Sequence, residues 1–415
     1  MINDIRITKG SRKEIRNPMI VILLLIIIIF EVPLVFLIAP ICLVVFMCFS
    51  NLSKNLPINL NVQVFYLSIF IITYFGFDTY LPQSGSFKVL YCASVIGMYF
   101  YGLNTHLLTG SKKDDSEYLR KVILLIAGCF YIYVLVTIIN GVISGRFLIS
   151  RNPFNIWTGT LRAATHYGTM LVFPVAVSCC GLLLGKRKLT KIVSLLVLLG
   201  AVLTCLLTAS RTILYMIPIG LIVTVVFSGR FKILKMKKNV LQSIGMFMIG
   251  IVTFSILIGL FSIFDLFDIK SKLMETQLGM RIINGDTSKI DDDPRLQYSL
   301  YYITHFSKYI WGGGHFRDEI GNAHNLWLNT YDIGGIVPFI FLLIYTFSIL
   351  NTLRKLFYKK GIEQYLKVLV VVVYILCLIQ MMLEPILESV PVFFWAFVLL
   401  NALVFKLVNQ KEIEI

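Results

Sequence analysis

Charged residues are scarce in this chain of 415 residues: Asp, Glu, Lys and Arg together account for only 14% of it. A soluble domain carries about 25% charged residues. Hydrophobic residues, at 57%, take the place of the missing charge. This composition excludes an ordinary soluble domain and indicates an integral membrane protein.

Signatures of disulfide frameworks and metal sites are also missing. All eight cysteines lie inside apolar runs, and none lies between residues 265 and 325. Because no CxxC or Cys/His spacing typical of zinc occurs, we interpret the cysteines as small core residues. No small-x-small cleavage site follows the apolar run at 19–30, so the basic leader is predicted to precede a retained first helix.

Apolar segments divide the chain into twelve predicted membrane crossings of about 20 residues each. The first apolar run is too long for one crossing, and Glu31 and Pro33 mark the break in it. The run at 192–227 is also too long, and Ser210 with Arg211 is its only polar position. The predicted spans are about 18–31, 33–50, 59–77, 87–109, 120–143, 167–185, 190–209, 212–228, 240–263, 326–350, 366–384 and 391–408.

Basic residues indicate the orientation of these spans. The net charge is +16, and most of the 38 Lys and Arg residues fall in segments that share one side if the N-terminus is cytoplasmic. This is the positive-inside pattern with both termini cytoplasmic, and it accounts for the charge without a nucleic-acid partner. We therefore predict an all-α polytopic membrane protein: helices one to nine in 1–263, an extracytoplasmic loop in 264–325, and the last three helices in 326–415.

The two longer outer segments are predicted at 144–166 and 264–325. The first contains three arginines, Arg146, Arg151 and Arg162. In the second, Asp293 followed by Pro294 is a helix-start signal. Aromatic residues follow at helical spacing, so a surface helix of about 294–309 is predicted, ended by the glycines at 312–314.

His324, in AHNLWLNTYDIGG, stands just before an apolar segment. Histidine titrates near pH 6.5, which suits a general base for a sugar hydroxyl. The alternative is a helix-capping or interfacial histidine. His305, His315 and His324 match no zinc-ligand spacing. The acidic run 291–293 resembles the Asp-x-Asp of metal-dependent glycosyltransferases, but a helix cap explains it more simply, so no metal and no cofactor is predicted.

Two arginines and two acids are the other candidates. Arg211 lies in the apolar stretch LLTASRTIL, where a guanidinium costs about 2.5–3.5 kcal/mol and needs a partner or a bound anion; the alternative is snorkelling to the interface. Arg295 suits phosphate oxygens, or is an ordinary surface residue. Glu384 and Glu388 flank Pro385 in the last outer turn, where they pair with an arginine or are solvated.

Three patches in this order resemble the O-antigen polymerase and O-antigen ligase superfamily. They are TASRTIL, with Ser210 and Arg211; PRLQYSLYYITHFSKYIWGGGHF, which Arg295 opens; and HNLWLNTYDIGG, which His324 opens. That family also has about twelve spans, inside termini and its largest outer loop between the ninth and tenth spans. The likeness covers most of the chain by topology but only short stretches by motif.

The resemblance implies an inverting, metal-independent glycosyltransferase on the outer face of the bacterial cytoplasmic (inner) membrane. It would polymerise undecaprenyl-diphosphate-linked oligosaccharide repeat units into O-antigen or capsular polysaccharide, with membrane lipid and a chain-length regulator protein as further partners. His324 would be the base, and Arg211 and Arg295 would bind the diphosphate. The remaining predicted substrate contacts are Arg162, Tyr298, Asn325 and Glu384.

Three other functions stay open. One is an O-antigen ligase that transfers glycan to the lipid A core; the short outer loop favours the polymerase. A flippase or transporter of lipid-linked oligosaccharide is typified by internal repeats or polar residues along its midplane helices, and we find neither in the sequence. An elongation-type cell-wall transglycosylase also uses a lipid diphosphate, but the His-Asn patch fits the polymerase family better.

Overall fold

The computed structural model describes residues 18–32, 35–52, 58–77, 85–105, 112–208, 210, 212–230 and 294–409. Within these ranges every regular element is an α-helix, and a single β-bridge joins Phe154 to Leu161. The predicted all-α class is therefore confirmed for the described part of the chain.

We number the helices in chain order. The first ten are α1 (Pro18–Ile29), α2 (Val35–Leu52), α3 (Val62–Phe77), α4 (Gly85–Asn104), α5 (Lys112–Ile143), α6 (Arg146–Ile149), α7 (Ala164–Met170), α8 (Val172–Leu184), α9 (Lys188–Thr208) and α10 (Thr212–Arg230). The others are α11 (Pro294–Thr304), α12 (His315–Ile320), α13 (Leu326–Gly334), α14 (Ile336–Tyr358), α15 (Gln364–Leu383), α16 (Ile386–Ser389) and α17 (Pro391–Asn409).

Seven helical stretches among the described residues are long and apolar enough to cross a membrane. Two shorter apolar helices accompany them, at Leu37–Phe49 and Val62–Phe77. The seven are Asp115–Ile143, Ala164–Leu184, Lys188–Thr208, Thr212–Gly229, Ile336–Tyr358, Gln364–Leu383 and Pro391–Asn409. They support a polytopic membrane protein. The count of twelve stays a prediction, because the span predicted at 240–263 lies outside the described residues.

Both breaks predicted inside long apolar runs are confirmed. Helix α1 ends at Ile29 and α2 begins at Val35, with Glu31 in the turn at a positive φ of 49°. Helix α9 ends at Thr208 and α10 begins at Thr212, on either side of Ser210. An apolar run longer than the bilayer is thick has to fold back. Both runs do so at a polar residue, although Glu31 and Ser210 are themselves buried in the protein.

The span predicted at 326–350 is wrong, because the helix is interrupted at Gly335. There φ is +77°, and an added Cβ would lie 2.6 Å from the Trp311 carbonyl carbon. The outer loop thus lies directly against this backbone, which leaves a short α13 and a spanning α14. The surface helix begins at Pro294 as predicted, but it ends at Thr304 instead of 309.

Helices α15 and α17 form the centre of the bundle. Most of their side chains are buried, and every residue from 368 to 374 is fully inaccessible. Helix α4 approaches α17 closely at Gly102, where an added Cβ would lie 2.8 Å from the Ala402 Cβ; such small residues allow helices to pack tightly in lipid. Leu199 and Phe347 on outer helices are more than half exposed, as lipid-facing side chains are.

A buried polar network crosses the bundle and corrects the expectation that the spanning helices lack polar residues. Gln63 donates through Nε2 to the hydroxyl of Ser348 (2.6 Å) and to that of Thr352 (3.0 Å). Its Oε1 accepts from the hydroxyl of Tyr99 (2.6 Å) and from Nδ2 of Asn401 (3.2 Å). These bonds join α3, α4, α14 and α17 and satisfy the amide inside the protein, as a low-dielectric environment requires.

Polar side chains from the connecting segments gather at two opposite ends of the bundle. We call one the polar end. Its residues contact one another or the segment 384–390, and they are Glu31, Tyr74, His166, Arg317, His324, Glu384 and Glu388. At the other, the basic end, Arg120 pairs with Glu363, Lys355 donates to Asn409, and Lys406 donates to the Thr105 carbonyl.

Candidate functional site

The segment 384–390, between α15 and α17, is the centre of the polar end. It contains the short helix α16 and the two acids predicted to matter, Glu384 and Glu388. Side chains from distant parts of the chain contact it, among them His324, Arg317 and His166. The segment therefore joins the outer loop to the connection before α7.

His324 faces Glu384, with 3.7 Å between Nδ1 and Oε2. The imidazole is 35% exposed, whereas the carboxylate behind it is 3% exposed. This separation is longer than a hydrogen bond, but contacts of a general base often shorten only when substrate binds. An imidazole that is open on one side and backed by a buried acid is the arrangement expected of a base with its orienting partner.

The backbone of His324 is in the left-handed region, with φ of +51°. Few residues other than glycine adopt this conformation. It is held here by the Asn322 side chain, whose Oδ1 accepts from the His324 N–H at 2.8 Å. Backbone strain of this kind is concentrated at functional sites, and the imidazole of this strained residue faces Glu384.

Asn325, and not His324, caps helix α13. Its Oδ1 accepts from the N–H groups of Trp327 (2.9 Å) and Leu328 (3.1 Å), which removes the helix-capping explanation for His324. Its Nδ2 donates to the Met382 carbonyl at 3.3 Å. The predicted substrate contact Asn325 is thus engaged in the fold, where it ties the start of α13 to the end of α15 beside Glu384.

Arg317 and Glu388 form a half-buried ion pair, 2.8 Å between Nη2 and Oε1. The Asn329 amide bridges the two, accepting from Arg317 at 2.5 Å and donating to Glu388 at 2.6 Å. The Tyr74 hydroxyl also donates to Glu388, at 3.3 Å. Burial alone would lower the pKa of Arg317, but Glu388 outweighs it and raises that pKa. Of the two alternatives left open for Glu388, solvation and a pair with an arginine, the structure shows the pair, and its partner Arg317 was not among the candidate arginines.

Asp332, fully buried, holds Arg317 in place through the backbone. Its Oδ1 accepts from the Phe316 N–H (2.9 Å) and its Oδ2 from the Arg317 N–H (3.3 Å), so it binds the first turn of α12. The Tyr302 hydroxyl donates to Oδ2 as well, at 3.2 Å. Burial raises the pKa of Asp332 despite these donors. Helix α12 is therefore docked on α13 by one carboxylate.

His166 and Glu31 form a second histidine–acid pair, which is almost completely buried. His166 Nε2 lies 3.3 Å from Glu31 Oε2, and Nδ1 lies 2.8 Å from the Ser389 carbonyl oxygen. Burial alone would raise the pKa of Glu31, but His166, followed by Arg162, outweighs burial and lowers that pKa. The predicted contact Arg162 is exposed. Its guanidinium adds positive charge near Glu31, at the polar end.

The remaining predicted site residues are Arg211, Arg295 and Tyr298. Arg211 lies outside the described residues, and so does the side chain of Arg295, although α11 contains that residue. Ser210, which precedes Arg211, lies against α7, since a Cβ added to Gly168 would be 2.5 Å from its Oγ. The Tyr298 ring packs over Gly321. A common site for His324 and the two arginines therefore stays a prediction.

Sequence reasoning missed Arg317, His166 and Asp332 as site residues, and used Glu31 only as a helix break. A signal for two of them was present. Glu31 and His166 are ionisable residues at the ends of apolar runs, and such residues usually have a partner in the folded protein. The sequence could not name the partner, because Glu31 ends the first predicted span whereas His166 ends the predicted outer segment 144–166, far away in the chain.

Among the described residues no group of three His, Cys, Asp or Glu side chains lies close enough to hold a metal ion. The site chemistry there consists of imidazole, carboxylate, guanidinium and amide groups.

No protein-family model matches the chain, and comparison with curated protein sequences finds no significant match. The function of the polar end therefore has to be inferred from its geometry and from the sequence pattern.

Proposed function

We propose that the polar end transfers a glycosyl group from an undecaprenyl-diphosphate-linked donor to a glycan hydroxyl, and that the protein polymerises lipid-linked repeat units into O-antigen or capsular polysaccharide. One observation carries the proposal: His324 is open on one side and backed by the buried Glu384. A base of this kind is what activation of a sugar hydroxyl requires.

His324 accepts the proton of the attacking hydroxyl in the proposed reaction. The acceptor oxygen forms a bond to the anomeric carbon, and the bond between that carbon and the diphosphate oxygen breaks. The lipid diphosphate leaves with the bonding electron pair, and the proton passes from His324 to solvent. Glu384 stabilises the imidazolium that forms, as the acid of a catalytic triad does. Attack opposite the leaving group inverts the anomeric carbon.

The leaving diphosphate needs positive charge more than it needs an acid. Arg317 is already neutralised by Glu388, so we assign the diphosphate to Arg211 and Arg295, with Arg162 near the same end. Guanidinium groups match phosphate oxygens in a two-pronged geometry. Donors fixed before reaction in a site that excludes water stabilise developing charge strongly.

The arrangement of the two ends supports an outer location for the site. Arg120, Lys355 and Lys406 lie at the basic end, each with a partner of its own, and basic residues are enriched on the cytoplasmic side of membrane proteins. The polar end would then face the periplasm or the cell exterior, where polyprenyl-linked glycans are assembled.

Apolar side chains near the site support access from the lipid. Leu300 and Ile303 on α11 and Ile310 and Trp311 after it are all strongly exposed, Trp311 at 78%. The Ile310 carbonyl accepts from the N–H of Ile336 at the start of α14, so these side chains lie level with the first turn of a spanning helix. Tryptophan is enriched at that depth, and a polyprenyl tail has to remain in lipid there.

A reconstituted transfer assay tests the proposal. Purified protein in liposomes receives lipid-linked repeat units with excess chelator, and the products are separated as a glycan ladder. His324→Ala should abolish the ladder, at a loss of about 10²–10⁴-fold, yet still bind donor. His305→Ala is the matched control and should retain activity, since His305 is exposed and bonds only to its own turn among the described residues.

Normal ladders from correctly inserted His324→Ala protein would refute the role of His324. Activity lost with chelator and restored by Mg²⁺ would revive a metal mechanism at 291–293, which lie outside the described residues. Transfer to a lipid A core but not to a second repeat unit would favour the ligase. The transporter alternative predicts movement of lipid-linked glycan across the bilayer without a new glycosidic bond.

A further inference from the structure

A second group of polar side chains meets at Glu319, on the side of helix α12 opposite Arg317. The two residues are two positions apart, which is about half a helical turn. The Glu319 carboxylate accepts from Lys308 Nζ at 2.6 Å and from the Tyr309 hydroxyl at 2.5 Å. It also accepts from the Tyr301 hydroxyl, at 3.2 Å. Three donors from the outer loop therefore fix the orientation of this one carboxylate.

The His315 imidazole extends this surface. Its ring lies beside that of Tyr309, with 4.8 Å between the centroids, and against Gly313, where an added Cβ would be 3.0 Å from Nε2. Gly313 has a φ of +97°, which glycine adopts readily, so this turn leaves room for the imidazole. His315 is exposed and Tyr309 is partly exposed. Two aromatic rings thus lie beside the Glu319 carboxylate at the protein surface.

Stability of the fold does not account for this arrangement. The Lys308 and Glu319 side chains are 43% and 32% exposed, and exposed ion pairs contribute little to stability. Helix α12 is docked on α13 by Asp332, and Phe316 packs beneath it against Tyr302. The outer loop is therefore held by other contacts, and the ordered groups around Glu319 point to a ligand.

The charges of these groups favour an uncharged ligand. Lys308 and Tyr309 lower the pKa of Glu319 to about 2, and Glu319 raises the pKa of Lys308, so both side chains are charged near neutral pH and their charges cancel. Asp318 is exposed beside them and adds negative charge, which opposes binding of a phosphate. Hydroxyl groups, in contrast, can donate to a carboxylate and accept from an ammonium group.

A sugar ring presents both kinds of group that this surface can bind. Its hydroxyls form hydrogen bonds around the rim, and its C–H groups form a face with weak positive charge. The face of an aromatic ring carries weak negative charge, so the two faces attract each other. Aromatic rings beside a carboxylate and an ammonium group therefore match a sugar better than they match a lipid tail or an anion.

We call Lys308, Tyr309, His315 and Glu319 the Glu319 cluster. We propose that the Glu319 cluster binds an uncharged sugar residue of the acceptor glycan, behind the residue that reacts. Glu319 precedes His324 by five residues, which span at most about 18 Å, so a glycan with its end at His324 has its next sugars within reach of the cluster. This rests on the proposed function, because it assigns the acceptor of that reaction.

Binding of free oligosaccharide to the full chain in detergent tests the cluster without any reaction. The probe is the surface polysaccharide of the producing bacterium, hydrolysed to lipid-free oligosaccharides of a few repeat units, and saturation-transfer NMR measures the affinity. His315→Ala and Tyr309→Ala should each weaken binding by about two- to tenfold, the effect of one aromatic contact. Glu319→Gln keeps the size of the side chain but loses its charge, and it should weaken binding as well.

His305→Ala is the matched control, because it removes another exposed imidazole of the same loop, and it should bind as wild type does. Tyr309 also packs against Phe316, so the unfolding midpoint of each variant is measured too. If Tyr309→Ala unfolds, the exposed His315→Ala decides the result.

Equal affinity of wild type and His315→Ala would overturn the proposal, and so would a lack of binding by wild type. Competition by inorganic phosphate would overturn it as well, because it would show an anion site at Lys308. In the transfer assay His315→Ala should form a shorter ladder, while transfer to a single repeat unit stays close to wild type.

The two assays separate this proposal from the proposed function. If the binding results hold but no protein forms a ladder, the sugar-binding cluster stands and the proposed function fails. If ladders form and the variants bind and elongate as wild type does, the proposed function stands and the sugar-binding cluster fails.

Discussion

Substitution of Asp332 gives the sharpest test of how the site is held. In Asp332→Ala two backbone N–H groups at the start of α12, those of Phe316 and Arg317, lose their acceptor. The Tyr302 hydroxyl keeps another acceptor, the Gly321 carbonyl at 3.1 Å. An unsatisfied buried donor costs about 1–3 kcal/mol, so two of them should destabilise the docking of α12 by about 2–6 kcal/mol.

Asp332→Asn should behave differently. Its oxygen can still accept from Phe316. The two bonds to Oδ2 are lost, those from the Arg317 N–H (3.3 Å) and the Tyr302 hydroxyl (3.2 Å), but Tyr302 still donates to the Gly321 carbonyl. Burial raises the pKa of Asp332, so ionisation of this carboxyl opposes folding, and asparagine avoids that cost. We expect the asparagine variant to lie within about 1.5 kcal/mol of wild type.

The raised pKa also fixes the sign of a pH effect. A carboxyl whose folded pKa is raised makes the protein less stable as pH rises from its ordinary value of 3.8 through the folded value. Asparagine does not titrate. The advantage of wild type over Asp332→Asn should therefore be largest at the acid end of this window and should shrink as pH rises.

Thermal unfolding in detergent and deuterium exchange of the α12 peptide measure both variants. Asp332→Ala should show a lower midpoint and fast exchange in α12, and it should slow glycan transfer because Arg317 is displaced. Equal destabilisation by Asn and Ala would refute the reasoning, since it would mean that the negative charge and not the acceptor geometry holds α12. No effect of alanine would refute the docking role itself.

Two further predictions concern the elements that place His324 and the outer loop. Asn325→Ala removes the α13 cap and should cost about 0.5–2 kcal/mol and reduce transfer, whereas Asn325→Asp should restore the cap; unchanged midpoints in both would contradict the capping role. Gly335→Ala should lower the unfolding midpoint clearly, because φ is +77° and the new Cβ would meet Trp311 at 2.6 Å. Gly128→Ala is its control, with open space around the added Cβ, and should not lower the midpoint, because alanine favours a helix more than glycine does.

The membrane class and the helix breaks could be predicted from the sequence because they depend on local composition. A bilayer sets the length of a span, so the apolar runs around Glu31 and Ser210 had to be divided at their polar residues. His324 and Glu384 were also found in this way, since polar residues beside apolar segments are few. Gly335 was not, because its positive φ depends on the outer loop that lies against it.

Only the tertiary structure decided which of these residues meet. Alternating spans bring every second connection to the same end, so the sequence indicates that Glu31, His166 and Glu388 belong together on one side. Which helices lie side by side is decided by side-chain packing between helices distant in sequence. For example, Gly168 leaves room for the side chain of Ser210. The pairs His166–Glu31 and Arg317–Glu388 arise from that packing, since Coulomb attraction between charges is the same for any acid and any base at equal distance.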